Sequence, residues 1–428
     1  MNCSAAKRTF CTALGALSVV FLSTSEATAA NHWKFDFGPG KVRSGYTQVL
    51  PSTVYNAELG YGFLDTSSVT GIDHGGWNTL RRDACTSDKP FYFSVAVPEG
   101  NYNVQLTFGD SDEATTNTVR AELRRLMLEN VQTKPGKFAT RTFTVNVRTP
   151  RFGENGEVRL KPREKELETR AWDDQLTLEF NGARPCVCAM AITPAPRVPT
   201  LLILGDSTVC DQPAEPWNSW GQMLPRFFKP GVAVANHAES GESIASSLGA
   251  HRFDKVFSLM KKGDWLFIQY GHNDMKDRRP NALQTYKSNL KEIVARTREL
   301  GGTPVLITPM ERKAGVKSPT LEGYPDAVRE MARQEGAALI DLNAMSLAFY
   351  RALGEDIGKA FQDGTHHNNY GSYELARCIV EGIKSNKLAL TKYIADDVKQ
   401  FDPAHPDSPE DFSMPPSPGS STLKPEGN

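Results

Sequence analysis

Four short stretches in the second half of the chain carry side chains suited to acyl transfer. Gly205-Asp206-Ser207-Thr208 offers a hydroxyl nucleophile behind a glycine that permits a tight turn. In Ala238-Glu239-Ser240-Gly241-Glu242-Ser243, Gly241 lets a substrate oxygen come close to its backbone N–H. Tyr270-Gly271-His272-Asn273-Asp274 supplies Asn273, an amide able to donate to a developing oxyanion, with His272 and Asp274 suited to fixing the loop. Asp363-Gly364-Thr365-His366 sets an imidazole and a carboxylate apart by two intervening residues, so both groups can leave one loop and converge. Serine hydrolysis needs such a base, and a carboxylate to fix its tautomer and stabilise its protonated form. His367 follows directly and is the competing base. Each stretch singly also fits loop architecture, since Gly-Asp-Ser tripeptides cap helices.

The elements around these stretches are those that would position them. Apolar runs at 201–204, 232–235, 265–268, 305–307 and 338–340 alternate with helical segments. In one of these, Tyr324, Ala327, Val328, Met331 and Ala332 share a face; another, at 283–300, is closed by Gly301-Gly302. Strand and helix in alternation predict an α/β unit with a parallel sheet covered on both sides. Open sheets of this kind place reactive groups beyond the carboxyl ends of the strands, where Ser207 and Asn273 fall.

The first half reads differently. Residues 91–97, 102–108, 142–147 and 176–180 are rich in β-formers, the second run alternates with period two, and turn signals lie between them. They predict an antiparallel β-sandwich. Residues 120–130 (RAELRRLMLEN) fit either a helix turn or a strand with its loop. The connector Pro194-Ala195-Pro196-Arg197-Val198-Pro199 is stiff. The expected organisation is an export signal at 1–29, a sandwich at 30–195, an α/β domain at 196–395 and a disordered Pro- and Ser-rich tail at 396–428.

The signal reading rests on Lys7 and Arg8, an apolar run at 10–22, and Ala27-Thr28-Ala29 before Ala30. It predicts a secreted or periplasmic protein. Lys plus Arg total 49 against 50 for Asp plus Glu, a formal net charge of −1, which provides no general attraction for nucleic acid or an anionic membrane. No run outside the signal is long and apolar enough to span a bilayer. Of seven cysteines, Cys3 and Cys11 lie within the signal. The odd remainder argues against a disulfide scaffold, and Cys186-Val187-Cys188 has the wrong spacing for a zinc knuckle.

Gly205-Asp206-Ser207, Gly241, Gly271-His272-Asn273-Asp274 and Asp363-x-x-His366 occur in the order found in SGNH (GDSL-type) hydrolases, which residues 200–388 resemble. Gly205 to Thr208, Ser219-Trp220-Gly221-Gln222 and Asp363 to His366 look closest to rhamnogalacturonan acetylesterases of carbohydrate esterase family twelve. The resemblance implies a flavodoxin-like α/β/α sandwich, with Ser207 as nucleophile, His366 as base and Asp363 as its partner. It implies an oxyanion hole of the Ser207 and Gly241 N–H groups and the Asn273 amide, and no metal or organic cofactor. The first half resembles the galactose-binding-like β-sandwiches found before such esterases. The expected substrate is an acetylated plant polysaccharide, foremost rhamnogalacturonan, with acetylxylan, other acylated glycans or small esters as alternatives. A noncatalytic carbohydrate-binding or adhesion protein is the reading from another class. Trp217 and Tyr270 are candidates to stack on a sugar, Trp220 is assigned to the core, and Arg312 is a candidate partner for a galacturonate carboxylate.

Overall fold

The computed structural model describes residues 1–2 and 32–426, so all but the first two residues of the expected export signal lie outside the described residues. None of the described helices is long and apolar enough to cross a membrane.

Period-two patterning builds the first half. Along Gly100–Asp110, Tyr102, Val104, Leu106 and Phe108 are buried and Gln105 is exposed. This strand lies in a seven-stranded sheet ordered Lys137–Val147, Gly100–Asp110, Cys186–Pro194, Trp33–Phe37, Thr47–Val49, with Asp83–Thr86 and Thr70–Asp73 attached at its side. The second sheet runs Tyr61–Phe63, Phe91–Ala96, Gln175–Arg184, Thr115–Ala121, Arg125–Thr133. Phe35, Phe37, Phe63, Phe93 and Phe180 fill the space between the sheets, each burial contributing about 1.5–3 kcal/mol. One pair departs from the antiparallel expectation: Trp33–Phe37 and Thr47–Val49 run parallel.

Residues 120–130, open between helix and strand in the sequence, form the end of a hairpin. Ala121 pairs with Arg125, and Glu122 and Arg124 turn the chain at φ of 58° and 62°. Its tip is pushed into the second half: Arg124 donates to the Gln212 and Trp217 carbonyls and Arg125 to that of Val234, while Arg125 also donates to the Asn146 carbonyl of the first half. The segment serves as a polar key between the two halves, which explains its mixture of arginines and leucines.

In the second half, five parallel strands are ordered Ala233–Asn236, Thr200–Gly205, Trp265–Gln269, Thr303–Ile307, Ala338–Ile340. Alternation again chooses the faces. Leu201 and Ile203 pack with Trp220, Phe349 and Ile379 on one side. Leu202 and Leu204 pack with Phe253, Val294 and Val328 on the other. The chain order reverses around Thr200–Gly205, and such a switch point opens a crevice at the strands' carboxyl ends. Ser207 enters that crevice.

The tail, expected to be disordered, lies against both halves. Arg120 and Asn181 donate to the Pro415 and Pro416 carbonyls at 2.5 and 2.8 Å, and the Ser421 N–H donates to the Glu215 carbonyl at 2.8 Å. Composition tracks average polarity and therefore misses this segment, which is held by hydrogen bonds to its backbone, by ion pairs such as Arg377–Asp407, and by the packing of Phe401, Phe412 and Met414. The five described cysteines are buried and unpaired.

Candidate active site

The strand Thr200–Gly205 ends in a turn that only glycine can begin. A Cβ on Gly205 would stand 2.7 Å from the Gln269 carbonyl oxygen and 2.6 Å from a Val209 methyl. Two residues on, Ser207 is 3% exposed, and its Oγ lies 2.8 Å from His366 Nε2. His366 Nδ1 is 2.9 Å from Asp363 Oδ2. The other carboxylate oxygen accepts the backbone N–H groups of Thr365 and His366, each at 2.7 Å. The two-residue gap thus serves twice: it returns the ring to the carboxylate and locks the carboxylate to the turn. Burial works against the Asp363 charge, yet the hydrogen bonds and charge of His366 outweigh it and hold this carboxyl well below its ordinary value. An ionised Asp363 fixes the proton on Nδ1 and leaves Nε2 to accept from Ser207.

The three candidate oxyanion donors lie on loops that follow the strands Thr200–Gly205, Ala233–Asn236 and Trp265–Gln269. Gly241 turns at φ +77°, which glycine adopts without strain. Among the described residues, neither the Ser207 nor the Gly241 N–H has an acceptor. The Asn273 amide donates one hydrogen to the Glu242 carbonyl at 3.0 Å, tying it to the Gly241 turn, while its oxygen accepts from Lys276 Nζ at 3.0 Å.

A second Asp–His pair lies behind the first. Asp206 Oδ2 is 3.0 Å from His272 Nδ1, and its Oδ1 accepts both the N–H and the hydroxyl of Thr208. His272 Nε2 donates to the Met310 carbonyl at 3.0 Å, so this ring faces backbone and not the serine. His367, the competing base, is also buried; its Nε2 meets the Tyr350 hydroxyl at 2.9 Å and its ring packs on Phe361. It does not reach Ser207.

The candidate substrate contacts separate. Trp217 sets its ring edge-on to His366 at 5.9 Å, and lines a cleft of about 430 Å³ with Leu167, Pro213, Leu423 and Lys424. It is 7% exposed, and its indole N–H donates to the Ser421 carbonyl. Tyr270 does not line the cleft: it is 1% exposed, packs beside Phe253 and donates to Ser247 Oγ. The residue following the strand points to the helix-covered face, so this ring belongs to the core. Trp220 is core as expected, donating to Gln269 Oε1. Arg312 is a bracket. Its guanidinium contacts Thr365 Oγ1 and the Thr320 and His272 carbonyls, all at 3.3 Å, joining the two loops that carry Asn273 and His366.

Two contributors escaped the sequence reading. Glu242 and Lys161 form a 3.0 Å ion pair beside Gly241, with Lys161 arriving from the first half of the chain. The one local sign was a helix start: Pro162 occupies the first turn, and Glu164, three residues after Lys161, accepts the Lys161 N–H at 2.8 Å.

Fold and site together define a carboxylic ester hydrolase of the SGNH type. Residues 203–372 match the GDSL-like Lipase/Acylhydrolase family, and residues 33–149 match the galactose-binding domain-like module of the beta-agarase/YXIM esterase group. The chain is 32% identical to rhamnogalacturonan acetylesterase RhgT of Bacillus subtilis (strain 168) over 216 residues, 45% of this chain and 93% of that protein. It is 34% identical to the probable rhamnogalacturonan acetylesterase YesY of the same strain over 209 residues, 45% of this chain and 96% of that one. Its similarity to the uncharacterized esterase YxiM, also of that strain, is lower at 26% but extends over both halves, covering 83% of this chain and 92% of the relative. The chain belongs to the GDSL-like lipase/acylhydrolase family.

Proposed function

We propose that this protein is an exported acetylesterase that removes acetyl groups from a plant polysaccharide, foremost rhamnogalacturonan, through an acyl-enzyme on Ser207. The observation that carries the reading is the unbroken contact from Ser207 Oγ through His366 to Asp363, at 2.8 and 2.9 Å. In the reaction, Ser207 Oγ attacks the acetyl carbonyl carbon while His366 Nε2 takes its proton. The oxyanion that forms is received by the Ser207 and Gly241 N–H groups and the Asn273 amide; donors of this kind supply roughly 3–4 kcal/mol each, because they are in place before charge develops. The ester C–O bond then breaks, and His366 returns the proton to the departing sugar hydroxyl. Water, deprotonated by His366, attacks acetyl-Ser207, and acetate leaves as Ser207 recovers its proton.

Two features support a polysaccharide as substrate. The similarity to RhgT and YesY accompanies a family match over residues 203–372, which contain Ser207 and His366, and Trp217, edge-on to His366 at 5.9 Å, borders a cleft of about 430 Å³. The test is acetate release from acetylated rhamnogalacturonan, acetylxylan and p-nitrophenyl acetate, by the native protein and by Ser207→Ala. We expect rhamnogalacturonan to be the best polymer and Ser207→Ala to be inactive on all three. Preference for acetylxylan overturns the substrate; retained acetate release by a folded Ser207→Ala overturns the mechanism.

A further inference from the structure

We infer that Lys161, a residue of the first half of the chain, is a positioning residue for the oxyanion hole: it holds and polarises the Ser240–Gly241 peptide, whose N–H is the proposed oxyanion donor. This rests on the reading of Ser207 as nucleophile. The Lys161 ammonium donates to the Ser240 carbonyl oxygen and also pairs with Glu242 Oε1 at 3.0 Å. The Ser240 carbonyl and the Gly241 N–H belong to one planar, resonance-coupled amide. A cation at the oxygen draws electron density from the nitrogen and strengthens the N–H as a donor. It also fixes the plane, and so the direction in which that N–H points.

Lys161 is anchored well enough for this task. Its own N–H donates to Glu164, whose two oxygens are held by Arg252 at 3.0 and 2.5 Å and by the Trp172 indole at 3.0 Å. Two residues earlier, the Arg159 N–H donates to the Ala250 carbonyl, pinning the segment to the α/β half. Glu242 is buried, so the ion pair works where water screens it little. Burial alone would lower the Lys161 pKa, but Glu242, Glu239 and Glu426 raise it above its ordinary value, which keeps the ammonium charged. The same turn binds the third donor, since Asn273 reaches the Glu242 carbonyl. Lys161 therefore acts on the piece of backbone from which two of the three donors take their positions, and the first half of the chain becomes a participant in catalysis beyond its role as a brace.

Direct removal of an oxyanion donor costs about 10²–10³ in kcat. A group acting through the peptide should cost less, and we expect Lys161→Met to lower kcat on p-nitrophenyl acetate about 10- to 100-fold with KM nearly unchanged. A small alkyl boronic acid, which becomes tetrahedral and anionic on the serine, should lose affinity by the same factor. Lys161→Arg should recover most of both, and Lys165→Met, an exposed lysine on the same helix, should change neither. Lys161→Gln is the second neutral variant if the first is poorly folded. A folded neutral variant that keeps its kcat and boronate affinity, whatever its Tm, overturns the inference. If Ser207→Ala remains active, the failure lies with the underlying reading; if Ser207→Ala is inactive while Lys161→Met is unimpaired, it lies with Lys161 alone.

Discussion

Two Asp–His pairs meet near Ser207 with nearly equal geometry, and only one of them turns its outer nitrogen to the serine. Asp363–His366 and Asp206–His272 are joined Oδ2 to Nδ1 at 2.9 and 3.0 Å. In both, burial opposes the carboxylate's charge, and the histidine's charge and hydrogen bond outweigh it and hold the carboxyl below its ordinary value. The difference is at the far nitrogen. His366 Nε2 meets a hydroxyl that can surrender a proton, whereas His272 Nε2 meets the Met310 carbonyl, which cannot. A carboxylate–imidazole pair is thus a scaffold element until its outer nitrogen faces a reactive group. The inner pair ties the nucleophile turn to the Asn273 loop and to the segment after the strand Thr303–Ile307. The outer pair is left with one free task.

Removing each histidine tests that division. His366→Ala should lower kcat about 10⁴- to 10⁶-fold with little change in Tm, because it takes away the base itself. Asp363→Asn should follow at about 10⁴, through the wrong tautomer at His366. His272→Ala should behave oppositely. It leaves Asp206 buried without its partner, a loss of about 3–5 kcal/mol in stability, while kcat below the new Tm falls less than tenfold. Denaturant unfolding and steady-state acetate release on the same preparations check all three. Should folded His272→Ala lose as much rate as His366→Ala, the two pairs are not functionally distinct and the comparison fails.

The division was only partly legible in the sequence, for a physical reason. Ser207, Asn273, Asp363 and His366 stand in short motifs at strand ends or on one turn, so local chain geometry fixes most of what they can reach. Asp363 and His366 are the extreme case, because the contact between them is made within a single turn. Tyr270 shares a motif with Asn273, but whether it faces the cleft or the core depends on Ser247 and Phe253, on helices outside the motif, and the core took it. Lys161 meets Ser240 across 79 positions, and the tail meets Arg120 across 295. Neither contact leaves a period or a spacing to read. The sandwich shows the same split: its strands announced themselves by alternation, while the hairpin tip at 122–124 became intelligible once its polar partners in the other half were visible.

His367 gives the finest test of what separates neighbouring histidines. Burial, followed by the charge of His366, pushes its pKa down to about 3. In the unfolded chain it should titrate near the ordinary value of about 6.5. The native state keeps this ring neutral between those limits while the unfolded state takes up a proton, so its contribution to stability is complete above about pH 6.5 and declines as the pH falls toward 3. The slope is at most about 1.4 kcal/mol per pH unit. Other buried groups titrate in the same range: His237, also depressed by burial, acts in the same direction, while Asp274, raised to about 7 by burial, acts against it. The difference between the native protein and His367→Gln isolates the one ring. His367→Gln should keep most of its kcat, and its stability relative to the native protein should improve by about 1 kcal/mol per unit as urea midpoints are followed from pH 6 to pH 4. A difference that stays flat over that interval would mean that His367 is charged in the folded protein, and that two adjacent imidazoles share the burden assigned here to His366 alone.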